Sequence, residues 1–214
     1  ITTSLIDWRL ALHMGSITSQ RHRKKWLIAI CAINLAVLGY FKYANFFIDN
    51  INSLMMFLGL PDFSFQSSVA LPIGISFYIF HSLSYCIDVY RGGIRPTASW
   101  RDYLLYVAFF PQLVAGPIVR WTTMGQQIET PRPFLADRLM VGIALMVVGL
   151  LQKIVLADGI FAPVANAQFD QSAFDVGVSV WMGALAFTGQ IFCDFAGYTT
   201  CAIGAALVLG FRLP

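Results

Sequence analysis

The sequence predicts an all-α, polytopic transmembrane protein with a re-entrant segment that lines an internal passage. Hydrophobic residues make up 57% of its 214 residues and charged residues only 12%, whereas a soluble domain carries roughly 25% charged residues. The stretch at residues 109–120 is also apolar, but it contains two prolines, one of them in a Gly-Pro pair, and these residues interrupt a helix. Irregular backbone survives at membrane depth only where protein or a water-filled cavity satisfies its polar groups, so this stretch should face an interior.

The first element is a flank at residues 1–25, which ends in a basic cluster at residues 21–25 and is followed by Trp26. Short loops rich in Lys and Arg lie on the cytoplasmic side, so we expect this flank to be cytoplasmic. The apolar run at residues 27–47 is the first span, because about 20 residues cross the hydrocarbon core. Residues 51–60 are too few to span, and they either lie in the interface or re-enter.

The second span, at residues 71–90, returns the chain to the cytoplasm. The loop before it, residues 49–68, contains aspartate but no Lys or Arg, which places it on the side opposite the basic cluster. The connection after it carries Arg91, Arg95 and Arg101, and the same rule makes that connection cytoplasmic.

The re-entrant segment is predicted at residues 103–119. A full crossing there would put the next loop outside, yet that loop contains Arg120, Arg132 and Arg138. A hairpin at residues 111–117 that enters and leaves on the cytoplasmic face removes this conflict with the charge rule.

The remaining elements are a span at residues 139–157, an outer loop at 158–175 with acids and no bases, and a returning span at 176–192. A further helix is expected from about residue 201. Residues 26–214 therefore form one partial transmembrane domain. The chain begins without Met and stops directly after an apolar segment, so we expect an internal fragment of a longer protein.

One group of polar side chains lies inside the second span. Tyr78, His81, Tyr85 and Asp88 are spaced by three, four and three residues, which places all four on one helix face. Polar groups in spans usually face the interior of a helix bundle. This face either lines a substrate or proton path or forms a hydrogen-bond network around His81, and the sequence leaves both interpretations open.

A second group, Gln190, Asp194 and Tyr198, follows at steps of four residues near the end of the chain. A carboxylate among apolar residues must be paired, neutral or beside water. The sequence leaves open whether Asp194 serves function or forms a structural ion pair with an arginine such as Arg120 or Arg212.

Other chemistry has little support in the sequence. Gln152 and Lys153 lie near the outer end of their span, where Lys153 is expected to extend toward the interface. The four cysteines are isolated and the three histidines are scattered, so we expect neither a disulfide framework nor a metal site. There is no glycine-rich phosphate loop, and nothing indicates a nucleic-acid partner.

Several sequence blocks carry a family resemblance. They are LPIGISFY at 71–78, YCIDVYRG at 85–92, FFPQLVAGPIVR at 109–120, GLLQKIVLAD at 149–158, and DFAGY at 194–198 with AIG at 202–204. In this order they resemble the membrane-bound O-acyltransferase (MBOAT) family, and specifically its alginate O-acetyltransferase-like bacterial branch. The resemblance runs from about residue 26 to residue 214.

The sequence departs from that branch at Ala196, Thr200 and Cys201, where Ser, Asp and Met are common. Because Thr200 stands in place of an acid, a paired-carboxylate mechanism is not expected. The family's histidine comes after Pro214, and His81 does not match it. The resemblance therefore implies no catalytic residue within these residues.

The resemblance implies a ring of helices around a central tunnel, in a multi-pass protein of the bacterial inner membrane. An acyl group, expected to be acetyl, would pass from a cytoplasmic thioester donor such as acetyl-CoA to a hydroxyl on the other side. No cofactor would be bound, and the downstream histidine would act as general base. Alginate, cellulose, teichoic acid and other envelope polymers remain open as acceptors. Membrane lipid, a periplasmic acetyltransferase and export proteins are the expected partners.

Two other classes of protein remain open. A small-molecule transporter would use the same broken helix and polar faces, although transporters commonly carry an internal repeat and none is visible. A non-catalytic scaffold would dock a periplasmic acetyltransferase. The residues expected to line the tunnel are Tyr78, His81, Tyr85, Asp88, Pro111, Gln112, Gly116, Pro117, Arg120, Gln190, Asp194 and Tyr198.

Overall fold

The computed structural model describes residues 2–60, 69–113, 116–130, 135–169 and 178–214, and within these ranges it contains helices and no β-strand. In chain order the elements are α1 (Thr2–Ser16), α2 (Gln20–Phe57), α3 (Ile75–Arg91), α4 (Trp100–Val107), α5 (Phe110–Leu113), α6 (Trp121–Glu129), α7 (Ala136–Leu150), a π-helical segment (Leu151–Phe161), α8 (Ala162–Phe169) and α9 (Val178–Val208). The predicted all-α fold is confirmed for the described residues.

The local sequence explains where α3 and α4 begin and end. Gly74 precedes α3 with φ 74° and Gly92 follows it with φ 77°, a left-handed conformation that glycine adopts without steric cost. α4 begins after Ser99, whose hydroxyl accepts a hydrogen bond from the backbone N–H of Asp102 at 3.3 Å. Such a cap satisfies one of the backbone donors that a helix start leaves free.

The helices are longer than the sequence analysis expects. α2 runs unbroken through residues 51–57, so these residues are not a separate interfacial or re-entrant piece. α9 is continuous to Val208, so no further helix begins at residue 201. No proline interrupts α2 or α9, and each continues as one helix. Residues 158–169, expected in a loop, are helical as well, and residues 2–16 of the expected flank form α1.

Three helical stretches among the described residues are long and apolar enough to cross a membrane, namely Gln20–Phe57, Ala136–Phe169 and Val180–Val208. They contain the predicted spans at 27–47 and 139–157 and most of the span at 176–192. α3, in the predicted span at 71–90, has 17 residues and is mostly buried. The chain is an all-α polytopic membrane protein, whereas the re-entrant path of residues 103–119 stays a prediction.

The chain divides into two compact units. Unit 1 consists of Ile1–Ala108 with Arg120–Thr122, and unit 2 of Phe109–Val119 with Thr123–Pro214. Each unit has its own helix packing.

In unit 1, α1 packs against α2, α3 and α4, and α2 packs against α3. The Arg23 guanidinium near the start of α2 donates to the carbonyl of Val89 near the end of α3. Farther along α2, the Asn45 side-chain amide exchanges two hydrogen bonds of 3.0 and 3.1 Å with the backbone of Val69, before α3 begins. α2 and α3 are therefore antiparallel.

In unit 2, α7, the π-helical segment and α8 form one continuous helix that lies antiparallel to α9. Gly142 meets Gly204 and Gly149 meets Gly197, and the two contacts are seven residues apart on each helix. A Cβ atom on Gly149 would lie 2.5 Å from the carbonyl oxygen of Gly197. Glycine at these positions lets the two backbones approach closely, as small residues do between transmembrane helices.

The π-helical segment, Leu151–Phe161, changes the register of this pair. Gly149 contacts Gly197 on α9, and Phe161 contacts Gly189. Gly149 and Phe161 are twelve residues apart, whereas the two glycines on α9 are only eight residues apart. A π turn closes from residue i to i+5 and so takes more residues than an α turn. A proline follows the segment two residues later, where it cannot donate the next helical hydrogen bond.

Candidate functional site

The predicted polar face of α3 is largely buried in unit 1. His81 and Tyr85 are fully buried, Asp88 is 8% exposed and Tyr78 is half-buried. His81 Nδ1 lies 2.7 Å from the carbonyl oxygen of Phe77, so Nδ1 must donate and carry the proton. Nε2 is then a buried acceptor with no hydrogen-bond partner among the described residues.

An aromatic cluster surrounds this face. The ring centroid of Tyr85 lies 4.8 Å from that of Tyr103 and 5.4 Å from that of Trp121. Tyr106 packs edge-on against Trp121 at 5.4 Å and against His81 at 5.5 Å. The sequence analysis missed Tyr103, Tyr106 and Trp121, although the three-residue spacing of the two tyrosines is the signal of a shared helix face.

Hydroxyl groups join α3 to α4 beside the aromatic cluster. Ser82 Oγ lies 2.8 Å from the Tyr103 hydroxyl, and Ser84 Oγ lies 3.3 Å from the Tyr106 hydroxyl. These contacts form a hydrogen-bond network between α3 and α4, whereas the hydrogen bond of His81 lies within α3. The two interpretations that the sequence left open, a network around His81 and a substrate or proton path along this face, both stay predictions.

A buried carboxylate that the sequence analysis did not single out lies where α1 meets α2. Asp7 is 1% exposed and accepts a hydrogen bond from the Asn34 side-chain amide at 2.8 Å. Burial raises the pKa of Asp7 to about 6, against the smaller opposing effect of hydrogen bonds from Asn34 and Ser82. Among the described residues no Lys or Arg forms an ion pair with it.

We expect the stability of the protein to fall as pH rises through the range set by Asp7. Its pKa is raised from 3.8 to about 6 on folding, so the folded state binds the proton more tightly than the unfolded state does. The stabilisation is complete below pH 3.8 and is lost as pH rises through about 6, a difference of about 3 kcal/mol. Thermal unfolding of the full-length protein in detergent, followed across this range, should show the decline.

The matched control for this prediction is Asp7→Asn, which keeps the shape of the side chain but does not titrate. The difference in unfolding temperature between wild type and variant should change across the same pH range. Parallel pH profiles for the two proteins would contradict the assignment to Asp7.

The segment at residues 109–113 and 116–119, here called the broken segment because regular helix is interrupted there, lies against α9 in unit 2. The ring of Phe109 is 3% exposed and lies 4.9 Å from that of Phe211. A Cβ atom on Gly116 would lie 2.6 Å from Gln112 Cα and 3.2 Å from Ala202 Cβ on α9. Only glycine therefore fits at this point without moving the backbone.

The other predicted residues of this segment differ in exposure. Pro111 and Gln112 are buried in the short helix α5, and Pro117 is half-buried. Arg120 is exposed and belongs to unit 1. The helix break that the prolines predict is confirmed, because α4 ends at Val107 and α5 has only four residues.

A charged cluster in unit 2 joins the π-helical segment to α9. The Lys153 ammonium lies 2.6 Å from Asp194 Oδ1 and 2.9 Å from Asp158 Oδ1, and it stands 5.4 Å above the ring of Tyr198. Asp194 is thus paired with Lys153 and not with Arg120 or Arg212. Lys153 does not simply extend toward the interface, because the packing of α9 brings a carboxylate to it.

The cluster is only partly buried within these residues. The side chain of Lys153 is 24% exposed and that of Asp194 is 41% exposed. Gln190 is half-buried and lies one turn before Asp194 on α9. Gln152 contributes a buried amide oxygen, which has no hydrogen-bond partner in the part of the chain that the structure describes. A charge pair on a membrane helix is costly and usually marks function or faces protein or water.

The twelve predicted residues fall into three local groups. The α3 group and Arg120 lie in unit 1, whereas the broken segment and the Asp194 group lie in unit 2. Across the described part of the chain, no set of three or more His, Cys, Asp or Glu side chains is placed to hold a metal ion. The contacts can therefore position helices and polar groups, but they assemble no metal centre in these ranges.

Similarity to known proteins agrees with the sequence blocks. The chain is 43% identical over 210 residues to "Probable alginate O-acetylase AlgI" of Pseudomonas putida, a match that covers 98% of this chain and 42% of the relative. It is 29% identical over 237 residues to "Peptidoglycan O-acetyltransferase" of Helicobacter pylori, covering 98% of this chain and 44% of the relative. It is 26% identical over 148 residues to "Teichoic acid D-alanyltransferase" of Bacillus subtilis, covering 66% of this chain and 36% of the relative.

The chain spans less than half the length of these curated relatives. The model of the family described as "MBOAT, membrane-bound O-acyltransferase family" matches residues 55–213, which include α3, the broken segment and the charged cluster of α9. On this match, the chain belongs to the membrane-bound O-acyltransferase family.

Proposed function

We propose that the full-length protein transfers an acyl group, specifically acetyl, to hydroxyls of an envelope or extracellular polysaccharide. The observation that carries this proposal is the family match over residues 55–213, together with relatives whose names describe acetyl or alanyl transfer to cell-envelope polymers. The identity to alginate O-acetylases, at 38–43% over 98% of the chain, favours alginate or a related polysaccharide as acceptor.

In the proposed reaction the acceptor hydroxyl oxygen attacks the acyl carbon of a thioester such as acetyl-CoA. The carbon–sulfur bond breaks, the thiol leaves, and a general base accepts the hydroxyl proton. The resemblance puts that base in a histidine outside these 214 residues. The residues of this chain would line and hold the path along which donor and acceptor meet.

Two features of unit 2 support such a path. The broken segment, which interrupts regular helix, lies against α9. Gly116 permits this close approach because it has no side chain to meet Ala202 on α9. Non-helical backbone at membrane depth needs protein or a water-filled cavity around it. The charged cluster of α9 also needs a polar or covered surrounding. A re-entrant course for residues 103–119 would provide both, and the proposal includes it.

The proposed location is the bacterial inner membrane, with the basic segments at residues 21–25 and 91–101 on the cytoplasmic side. Both segments lie at the same end of unit 1, as the contact of Arg23 with Val89 requires. A cytoplasmic thioester donor would enter from that side. A periplasmic acetyltransferase and export proteins are the proposed protein partners.

Acyl transfer can be tested with the full-length protein in lipid vesicles, supplied with acetyl-CoA and alginate. We expect free thiol and acetylated polymer to appear together. Residues 1–214 alone should give no turnover above background, because losing a positioned general base costs about 10²- to 10⁴-fold in rate.

Other outcomes would contradict this assignment. Passage of an unmodified solute across the vesicle without thiol release would identify a transporter. A full-length protein that binds an acetyltransferase but releases no thiol by itself would identify a scaffold. Turnover by residues 1–214 that disappears in His81→Ala would place the chemistry inside this chain.

A further inference from the structure

We propose that one end of unit 1 binds the phosphate head groups of anionic phospholipids. The binding surface, here called the basic collar, consists of six exposed cationic residues from α2, α3, α4 and their connections. These residues are Arg21, Lys24, Lys25, Arg91, Arg95 and Arg101.

The helix packing brings these residues to the same end of unit 1. Arg23, in the first turns of α2, donates to the carbonyl of Val89, and its guanidinium stands 5.9 Å from the ring centroid of Tyr90. Gln20 also donates to the Tyr90 hydroxyl at 3.4 Å. The start of α2 therefore touches the end of α3, from which Arg91 extends.

Contacts from α1 hold the connection between α3 and α4 in place. The Trp8 indole N–H donates to the carbonyl of Thr97 at 3.0 Å. Near the end of α1, a Cβ atom on Gly15 would meet the ring of Pro96 at 2.6 Å, which shows how closely the two segments pack. Arg95 thus lies on a connection fixed by neighbours, next to the start of α4.

The charges of the basic collar are not neutralised within unit 1. Where the structure describes the chain, both ion pairs closer than 4.0 Å belong to Lys153 in unit 2. Asp88 is 8% exposed and Asp102 is half-buried at the start of α4, so neither covers the collar. Six unpaired cations at one surface favour an anionic partner.

The surroundings of the basic collar favour a phospholipid over a soluble anion. Trp26 and Trp100 are 36% and 47% exposed beside it, and tryptophan is enriched at the membrane interface. The next turns of α2 expose apolar residues, including Ile28 and Leu35. An amphiphile with a phosphate head and acyl chains matches both surfaces, since Arg binds phosphate through paired hydrogen bonds.

The proposal is independent of acyl transfer, and it can be tested by native mass spectrometry of the full-length protein. The protein would be released into detergent containing equimolar phosphatidylglycerol and phosphatidylethanolamine. We expect phosphatidylglycerol adducts to dominate. The triple variant Arg21→Gln, Lys24→Gln and Lys25→Gln should lose this preference by about fivefold for each removed charge.

The matched control removes the same number of positive charges elsewhere, with Lys42→Gln, Arg138→Gln and Arg212→Gln. This variant should keep the preference for phosphatidylglycerol. If the two triple variants lose it equally, net charge explains the binding and the collar is not a site.

A second variant keeps the test decisive if the first one fails to fold. Arg91→Gln, Arg95→Gln and Arg101→Gln change the other half of the collar and should have the same effect. Inorganic phosphate and coenzyme A distinguish the source of the bound phosphate. If either displaces phosphatidylglycerol at equal concentration, the collar binds a soluble phosphate and the lipid proposal is wrong.

Discussion

Replacing Gly149 by alanine is expected to push α7 away from α9 and to destabilise unit 2. The new Cβ atom would lie 2.5 Å from the carbonyl oxygen of Gly197, 2.7 Å from the backbone nitrogen of Cys201 and 2.9 Å from its sulfur. Two of these three atoms belong to the backbone, so no side-chain rotation relieves the contact. Overpacking a tight contact lowers the free energy of unfolding by about 1–3 kcal/mol. We expect a loss near the upper end of this range for Gly149→Ala, because backbone atoms cannot move aside as a side chain can.

Thermal unfolding of the full-length protein in detergent would measure the effect, and acetylation of polymer would follow it. A loss of about 3 kcal/mol is a large part of the 5–15 kcal/mol that typically holds a folded protein together. We expect both the unfolding temperature and the acetylation rate to fall.

Gly39→Ala is the matched control, because it makes the same change in the middle of α2, where a Cβ atom meets nothing within 4 Å. The control should leave stability unchanged or raise it slightly, since alanine favours a helix more than glycine does. If Gly149→Ala and Gly39→Ala had the same effect on stability, Gly149 would not be required for the close approach of the α7 and α9 backbones.

Replacing Asp194 by leucine is expected to lower acetylation strongly by leaving Lys153 without its partner on α9. The ammonium lies 2.6 Å from Asp194 and keeps only Asp158, which is on its own helix. The contact between the π-helical segment and α9 would lose its charge pair, and the ammonium would keep one carboxylate in place of two. A charge that is less fully compensated on a membrane helix is disfavoured.

Exchanging the charges of Lys153 and Asp194 tests whether the ion pair itself is needed or whether a carboxylate is needed at position 194. Lys153→Asp combined with Asp194→Lys should recover much of the protein level and unfolding temperature lost in Asp194→Leu. Recovery of acetylation along with stability would show that pairing is sufficient. Recovery of stability without acetylation would show that the carboxylate at position 194 has a further role.

Asp49→Leu provides the control for removing an aspartate. Asp49 is exposed near the end of α2, so its loss should change neither stability nor acetylation. If Asp194→Leu also assembled normally and kept full acetylation, the importance of the Lys153–Asp194 pair would be disproved.

Much of the architecture was predictable because it depends on local properties of the chain. Long apolar stretches with few charges predict membrane helices, and α2, the helix beginning at Ala136 and most of α9 are long and apolar enough to cross a membrane. The prolines and Gly-Pro pair predict a break, and regular helix does stop between Val107 and Phe110. Helix length was less predictable, because a continuous helix and a helix followed by a short apolar piece have similar composition.

The candidate site was predictable residue by residue but not in its pairings. The spacing on α3 correctly indicated a shared face, since that face follows from the geometry of one helix. Asp194 was correctly identified as a carboxylate that needs a partner, yet the sequence suggested arginines and overlooked Lys153. Asp7 was missed because its partner, Asn34, lies on another helix and no local pattern connects the two.

The sequence by itself determined that this protein is a helical membrane protein of the O-acyltransferase family, broken at one internal segment. Hydropathy, helix-breaking residues and short sequence blocks are all read along the chain, so they need no packing to be seen. Only the tertiary structure decided which charges meet. The glycine contacts set how closely α7 approaches α9, and the packing of the two helices brings Lys153 to Asp194, close to the contact of Gly149 with Gly197. The alignment of two helices along each other depends on how their surfaces pack, and the sequence of one helix does not specify it.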